Sequence, residues 1–103
     1  MQLVWTPQAR RQRQDAIDHI AQDNPRAALD QLDRIEQQTD TLLAHPELGR
    51  PGRTPGTREL VISRTPFLVV YRLRPQAQRI ELLRLLHGSQ QWPVAVPKGQ
   101  GSP

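Results

Sequence analysis

The spacing of apolar positions changes twice along the chain, and each change marks a different kind of element. Gln2-Leu-Val-Trp5 is a short β-prone opening. From Pro7 to about Gln22 the period is helical. Ala9, Ala16, Ile17, Ile20 and Ala21 fall near one face, and Arg10, Arg11 and Arg13 fall mostly on the other. Thr6 before Pro7 reads as an N-cap followed by proline at the first helical position. The apolar stripe is thin, so this helix needs a partner to stay folded. Asn24-Pro25 repeats the same start signal, and Ala28, Leu29, Leu32, Ile35, Thr39, Leu42 and Leu43 then recur at three and four until His45-Pro46. Two helices joined this tightly predict an αα-hairpin.

Between Glu47 and Thr57 three glycines and two prolines predict a loop. Beyond it the period becomes two. Glu59–Ile62, Phe67–Leu73 and Ile80–Leu86 read as strands, with turns at Ser63–Pro66 and Arg74–Gln78. Short connections predict an antiparallel meander. The expected fold is α+β, in the order β-α-α-β-β-β, with a helical hairpin packed on a small antiparallel sheet. The strands are apolar on both faces, so the face away from the helices is expected to meet a partner. Residues 1–93 form the expected domain. Val94–Pro103, rich in Pro, Gly and Val without a period, is expected to be a mobile tail.

Composition narrows the class. A chain of 103 residues has room for one modest core. It has no cysteine, no apolar run near the ~18–20 residues of a membrane span, and no signal-peptide pattern, so a soluble, cytoplasmic protein is expected. Charge is uneven. Residues 1–45 carry five arginines against seven carboxylates, a net of −2; residues 46–103 carry eight arginines and one lysine against three glutamates, a net of +6. An arginine excess in the strand-bearing half suggests an anionic partner or a solvated basic surface. No HExxH, no phosphate-cradling glycine motif and no Ser/His/Asp set stands out, which argues against metal or acyl chemistry.

Several stretches together resemble one family. They are Thr6-Pro7-Gln8-Ala9, Pro46-Glu-Leu-Gly-Arg50, Thr57-Arg-Glu-Leu-Val61, Leu68-Val-Val-Tyr-Arg72 and Leu85-Leu-His-Gly-Ser-Gln-Gln-Trp-Pro93. Over about residues 2–93 the chain is similar to the RelE/ParE superfamily, the toxin halves of bacterial type II toxin–antitoxin pairs. The resemblance implies a growth-arresting toxin neutralised by a cognate antitoxin, whose flexible segment wraps it. The complex would bind operator DNA through the antitoxin. It implies no metal and no cofactor; no membrane partner is expected either, since no apolar run approaches a membrane span. RelE-like members cut messenger RNA in the ribosomal A site, using Lys and Arg from the sheet face. ParE-like members lack that set and poison DNA gyrase. Matching Val70-Tyr71 to the corresponding pair of the nucleases places Glu59 and Val61 where those carry two lysines, and Leu68 where they carry an arginine. A carboxylate and two aliphatics do not stabilise a phosphorane-like transition state. Gyrase inhibition is therefore the expected activity, with ribosome-dependent mRNA cleavage as the alternative.

His87 ends the last strand and has two readings: an acid/base residue near neutral pH, or a strand-end histidine bonding the following turn. Alternation places Arg84 on the face of Ile80, Leu82 and Leu86, and Arg72 on that of Leu68 and Val70. Each needs an anion, supplied by Glu59, Glu81 or a partner; in the nuclease alternative Arg84 would stabilise charge beside His87. Arg50, Arg53, Arg58, Arg64 and Arg72 are candidates for contact with the target or the antitoxin, as is Trp92, which could instead close the edge of the core.

Overall fold

The computed structural model describes residues 1–88. Its elements are β1 (Gln2–Trp5), α1 (Pro7–Asp23), α2 (Pro25–Asp40), β2 (Arg50–Pro51), β3 (Arg58–Val61), β4 (Phe67–Arg74) and β5 (Arg79–His87). Single 3-10 turns follow α2 at Thr41–Leu43 and β4 at Pro75–Ala77. The Thr6 hydroxyl accepts from the Ala9 N–H at 3.2 Å, and the Asn24 side chain accepts from the Ala27 N–H at 3.0 Å. Asn24 serves both helices, because its own N–H closes α1 on the Ile20 carbonyl at 2.9 Å. The expected hairpin is present and its two caps are the expected residues.

The sheet has five strands in the order β1-β5-β4-β3-β2. It is mixed, and so departs from the wholly antiparallel sheet expected: β1 runs parallel to β5, pairing Leu3 with Ile80 and Trp5 with Leu82. The chain can return to β5 in parallel because the whole hairpin and meander intervene. The Gly/Pro segment also departs from a plain loop, since Arg50 and Pro51 pair with Glu59 and Arg58 as the edge strand β2. The helices cover one face. Ile17, Ala28, Ile35 and Leu42 pack there on Leu60, Ile62, Phe67, Val69, Tyr71, Ile80, Leu82 and Leu85. No helix among the described residues is long and apolar enough to cross a membrane.

One irregularity sets which side chains share a face. In β5, Arg84 pairs with Val70 while Leu82 pairs with Tyr71, so Leu83 is an extra residue bulged out of the ladder. A one-residue insertion turns every later side chain to the other face. Leu85 and His87 therefore join Ile80 and Leu82 on the helix side. Arg84 and Leu86 move to the far side with Val70 and Leu68, which corrects the expectation that Arg84 shares a face with Ile80 and Leu82. The bulge is pinned from α1. The Thr6 N–H and hydroxyl both donate to the Leu82 carbonyl at 3.0 Å, the hydroxyl also reaches the Leu83 carbonyl at 3.4 Å, and the Leu85 N–H donates to Gln12 Oε1 at 2.9 Å.

Thr6 is thus both helix cap and bulge anchor. Replacing Thr6→Ala is expected to lower stability by about 1–3 kcal/mol, with Thr6→Ser retaining most of it. Equilibrium urea unfolding of the two variants checks this; equal losses would mean that the hydroxyl contributes little.

Candidate functional site

The face away from the helices gathers most of the predicted arginines, and register explains how. Across four strands Arg50, Glu59, Val70 and Arg84 lie opposite one another, and beside that row Val61, Leu68 and Leu86 form a second. Toward the other end Arg72 faces Glu81, and Arg74 faces Arg79. The face therefore runs from an apolar row at one end, through the row that holds Glu59, to the Glu81 cluster at the other. Val70 and Leu86 are buried, whereas Val61 is 54% exposed at the β3 edge.

Glu59 organises the first cluster. It is 2% exposed and lies on a sheet face where an unpaired carboxylate would be costly. Arg50 meets Glu59 Oε1 through Nη2 at 3.1 Å and Nε at 3.3 Å, and the Arg53 backbone N–H donates to Oε2 at 3.0 Å. The Arg53 guanidinium stands 3.9 Å from that oxygen. Arg58 serves the same loop differently, donating to the Gly49 carbonyl at 2.7 Å. The Tyr71 hydroxyl completes the fixing: it accepts from the Gly49 N–H at 2.9 Å and donates to the Pro46 carbonyl at 2.8 Å. Burial pushes the phenol above its ordinary pKa, against the opposing pull of the Gly49 hydrogen bond and the Arg58 charge.

Glu81 organises the second. Arg72 Nε donates to Oε1 at 2.7 Å and Arg79 Nη2 to Oε2 at 2.9 Å, with Arg74 at 3.8 Å. Three cations around one carboxylate leave this cluster positive. The Arg72 hydrogen bond is the main cause that holds the Glu81 carboxyl below its ordinary range; partial burial opposes it, and Arg79 adds to the lowering.

The remaining candidates lie elsewhere. Arg64 is exposed in the Ser63–Pro66 turn at φ 65°, a left-handed conformation uncommon outside glycine. His87 is exposed at the end of β5 on the helix side, its ring edge-on to Phe67 at 5.7 Å. The bulge thus places His87 and Arg84 on opposite faces of the sheet. Trp92 and the 94–103 segment lie outside the described residues. Sequence reading missed the Tyr71 clamp and the role of Glu81 as a hub for three arginines. Glu59 and Glu81 were visible as two of only three carboxylates in the basic half, and that scarcity was the available signal.

Comparison with known proteins agrees with this architecture. A family model described as "ParE toxin of type II toxin-antitoxin system, parDE" matches residues 3–92. The Sinorhizobium fredii protein named "Putative toxin Y4kP" is 38% identical over 91 residues, spanning 88% of this chain and 92% of that protein. A solved chain from the "Chromosomal ParDE TA system from P. aeruginosa" is 31% identical with a TM-score of 0.75, covering 84% of this chain and 95% of its own.

The lowered Glu81 carboxyl predicts a pH dependence. A carboxyl depressed in the folded state adds stability that is fully present above its unfolded value, near the ordinary 4.5, and is lost as pH falls through the lower folded value. Urea unfolding between pH 2 and 6 is expected to show a shallower acid loss in Glu81→Gln than in the parent; identical slopes would remove Glu81 from the acid response.

Proposed function

The chain belongs to the ParE toxin family of type II toxin–antitoxin systems, and on that premise we propose that it arrests growth by binding and inhibiting DNA gyrase. A cognate antitoxin is its partner in the module; in this reading it covers the toxin, relieves the arrest and carries the complex to operator DNA. The observation that supports binding over cutting is the composition of the far sheet face. At the three positions where the related nucleases place cations stand Glu59, Val61 and Leu68, and the Glu59 carboxylate is already held by Arg50. Phosphodiester cleavage needs donors aimed at developing negative charge, with an acid/base group beside them. Here the acid/base candidate His87 faces the helices and Arg84 faces away. An apolar row bordered by oriented guanidinium groups suits a protein partner with acidic and aliphatic side chains.

Arg64 is the candidate least tied to the fold. It is exposed, and it makes no hydrogen bond or ion pair among the described residues. Arg50, Arg53 and Arg72 combine a structural role with whatever they contribute to a partner.

Two assays test the proposal. Purified toxin is expected to inhibit gyrase supercoiling, to lose that effect when premixed with its antitoxin, and to leave messenger RNA on translating ribosomes intact. Cleavage at A-site codons with unaffected supercoiling would instead establish the nuclease. Arg64→Ala is expected to weaken gyrase inhibition or antitoxin binding by about three- to tenfold while leaving thermal stability unchanged.

A further inference from the structure

Register gathers four charged side chains on the far face, at the end where β4 turns into β5. Arg72 and Arg74 lie two residues apart on β4, and Arg79 and Glu81 lie likewise on β5. Arg72 stands opposite Glu81, whereas Arg74 stands opposite Arg79. Like charges directly opposite one another in an antiparallel pair are destabilising. A single carboxylate serves all three cations. Glu81 holds Arg72 at 2.7 Å and Arg79 at 2.9 Å, which leaves Arg74 Nη1 at 3.8 Å, beyond a hydrogen bond. The side chains of Arg72, Arg74 and Arg79 are 43%, 46% and 39% exposed, so a ligand can reach them. A second anion would relieve the opposition of Arg74 and Arg79, and would find guanidinium groups from two strands already oriented.

The surroundings decide which kind of anion. The aliphatic row of Val61, Leu68 and Leu86 lies at the opposite end of the face. Beside the patch, β1 contributes Gln2, paired with Arg79, and Val4, paired with Glu81. Protein interfaces are built around a centre depleted of charge and rich in apolar and aromatic groups. This end of the face offers no such centre among the described residues, and suits a hydrophilic polyanion better. No aromatic side chain of the described residues stands on this face either, since Trp5, Phe67 and Tyr71 pack on the helix side. Proteins that hold single-stranded nucleic acid stack its bases on aromatic side chains, whereas a duplex is held without base contact through its phosphates. Arg72 and Arg74 are ~6.8 Å apart along β4, and the row of Arg50 and Arg84 continues the positive charge across the sheet.

From this arrangement we propose that Arg72, Arg74 and Arg79 form a contact site for the phosphate backbone of duplex DNA, without regard to base sequence. The contact belongs to the toxin chain itself and is separate from operator binding through an antitoxin. It does not rest on gyrase inhibition, and gyrase is absent from the test, so each reading can fail alone.

The test is fluorescence anisotropy of a short labelled duplex of mixed sequence, titrated with the full-length chain free of antitoxin. Saturable binding is expected with a Kd of about 10⁻⁶–10⁻⁴ M near physiological salt, the range of sequence-independent contacts. The logarithm of affinity is expected to fall with the logarithm of salt at a slope of roughly −3, about −0.9 for each phosphate neutralised. Arg74→Ala removes no hydrogen bond of the fold, and should weaken binding about three- to tenfold while reducing the slope by about one. Arg10→Ala takes the same charge from the exposed side of α1, and should leave both quantities as in the parent. In the parent, the side-chain Nε–H resonances of Arg72 and Arg79 should move on addition of duplex, a readout that depends on no variant. A single strand of the same length should bind more weakly, and an oligoglutamate peptide should compete poorly. The proposal is overturned by absence of saturable binding, by equal losses in Arg74→Ala and Arg10→Ala, or by resonances that stay in place. Tighter binding of the single strand overturns it as well. So does effective competition by oligoglutamate, which would assign the patch to an acidic protein segment.

Discussion

The extra residue at Leu83 is the constraint on which both faces of the sheet depend. An unbroken alternation from Ile80 would carry Arg84 onto the helix-packed face with Ile80 and Leu82, and would turn Leu85 outward. A guanidinium among aliphatics is strongly unfavourable without an anion. The bulge removes that conflict by changing phase between Leu82 and Arg84, so that Ile80, Leu82 and Leu85 all reach the core. A bulge of this kind disrupts the ladder locally and needs support. That support is Thr6, which caps α1 while holding the Leu82 carbonyl, with Gln12 further along the same helix. Helix start and strand irregularity are therefore one structural unit, and the position of α1 over the sheet follows from it.

On the far face the organising groups are the two carboxylates rather than the arginines they hold. Desolvating a carboxylate such as Glu59 costs several kcal/mol unless it is paired and its oxygens satisfied. Arg50 and the Arg53 N–H meet that need, so the chain of loop 50–53 is drawn onto the sheet. Glu81 does the same for Arg72 and Arg79. Because cations outnumber carboxylates in both clusters, the face keeps a positive surplus while its guanidinium groups are oriented. The surplus favours acidic partners, and the orientation reduces the side-chain entropy lost on binding.

Local chemistry was legible in the sequence, and long-range pairing was not. Thr6-Pro7 and Asn24-Pro25 announced both helices because capping acts within three residues, and the period-two runs located β3, β4 and β5 to within a residue or so at most ends. The parallel pairing of β1 with β5 spans more than seventy residues and carries no local signal. Neither did the bulge, since Leu82-Leu83 and Leu85-Leu86 leave the phase of alternation ambiguous where it changes. The face of Arg84 was misjudged for that reason alone. The candidate arginines could be enumerated, but sorting them into a Glu59 cluster and a Glu81 cluster requires the strand register. Tyr71 was legible as a core residue; what its hydroxyl holds was not.

That hydroxyl bears on how a binding surface can be built on a loop at all. Three of the candidate arginines belong to the Gly/Pro segment and its exit into β3, where a free loop would scatter them. The Tyr71 hydroxyl bonds the Gly49 N–H and the Pro46 carbonyl, and the fit is close: a methyl group at that glycine would stand 2.7 Å from the Tyr71 ring and 2.8 Å from the Glu59 carbonyl. Arg58 then holds the Gly49 carbonyl, and Glu59 holds Arg50 and Arg53. Side chains from β3 and β4 thereby impose strand-like order on a segment whose composition encodes only turns. A glycine here is a requirement of space rather than of backbone freedom, and it lets a buried phenol set the position of cations on the opposite face.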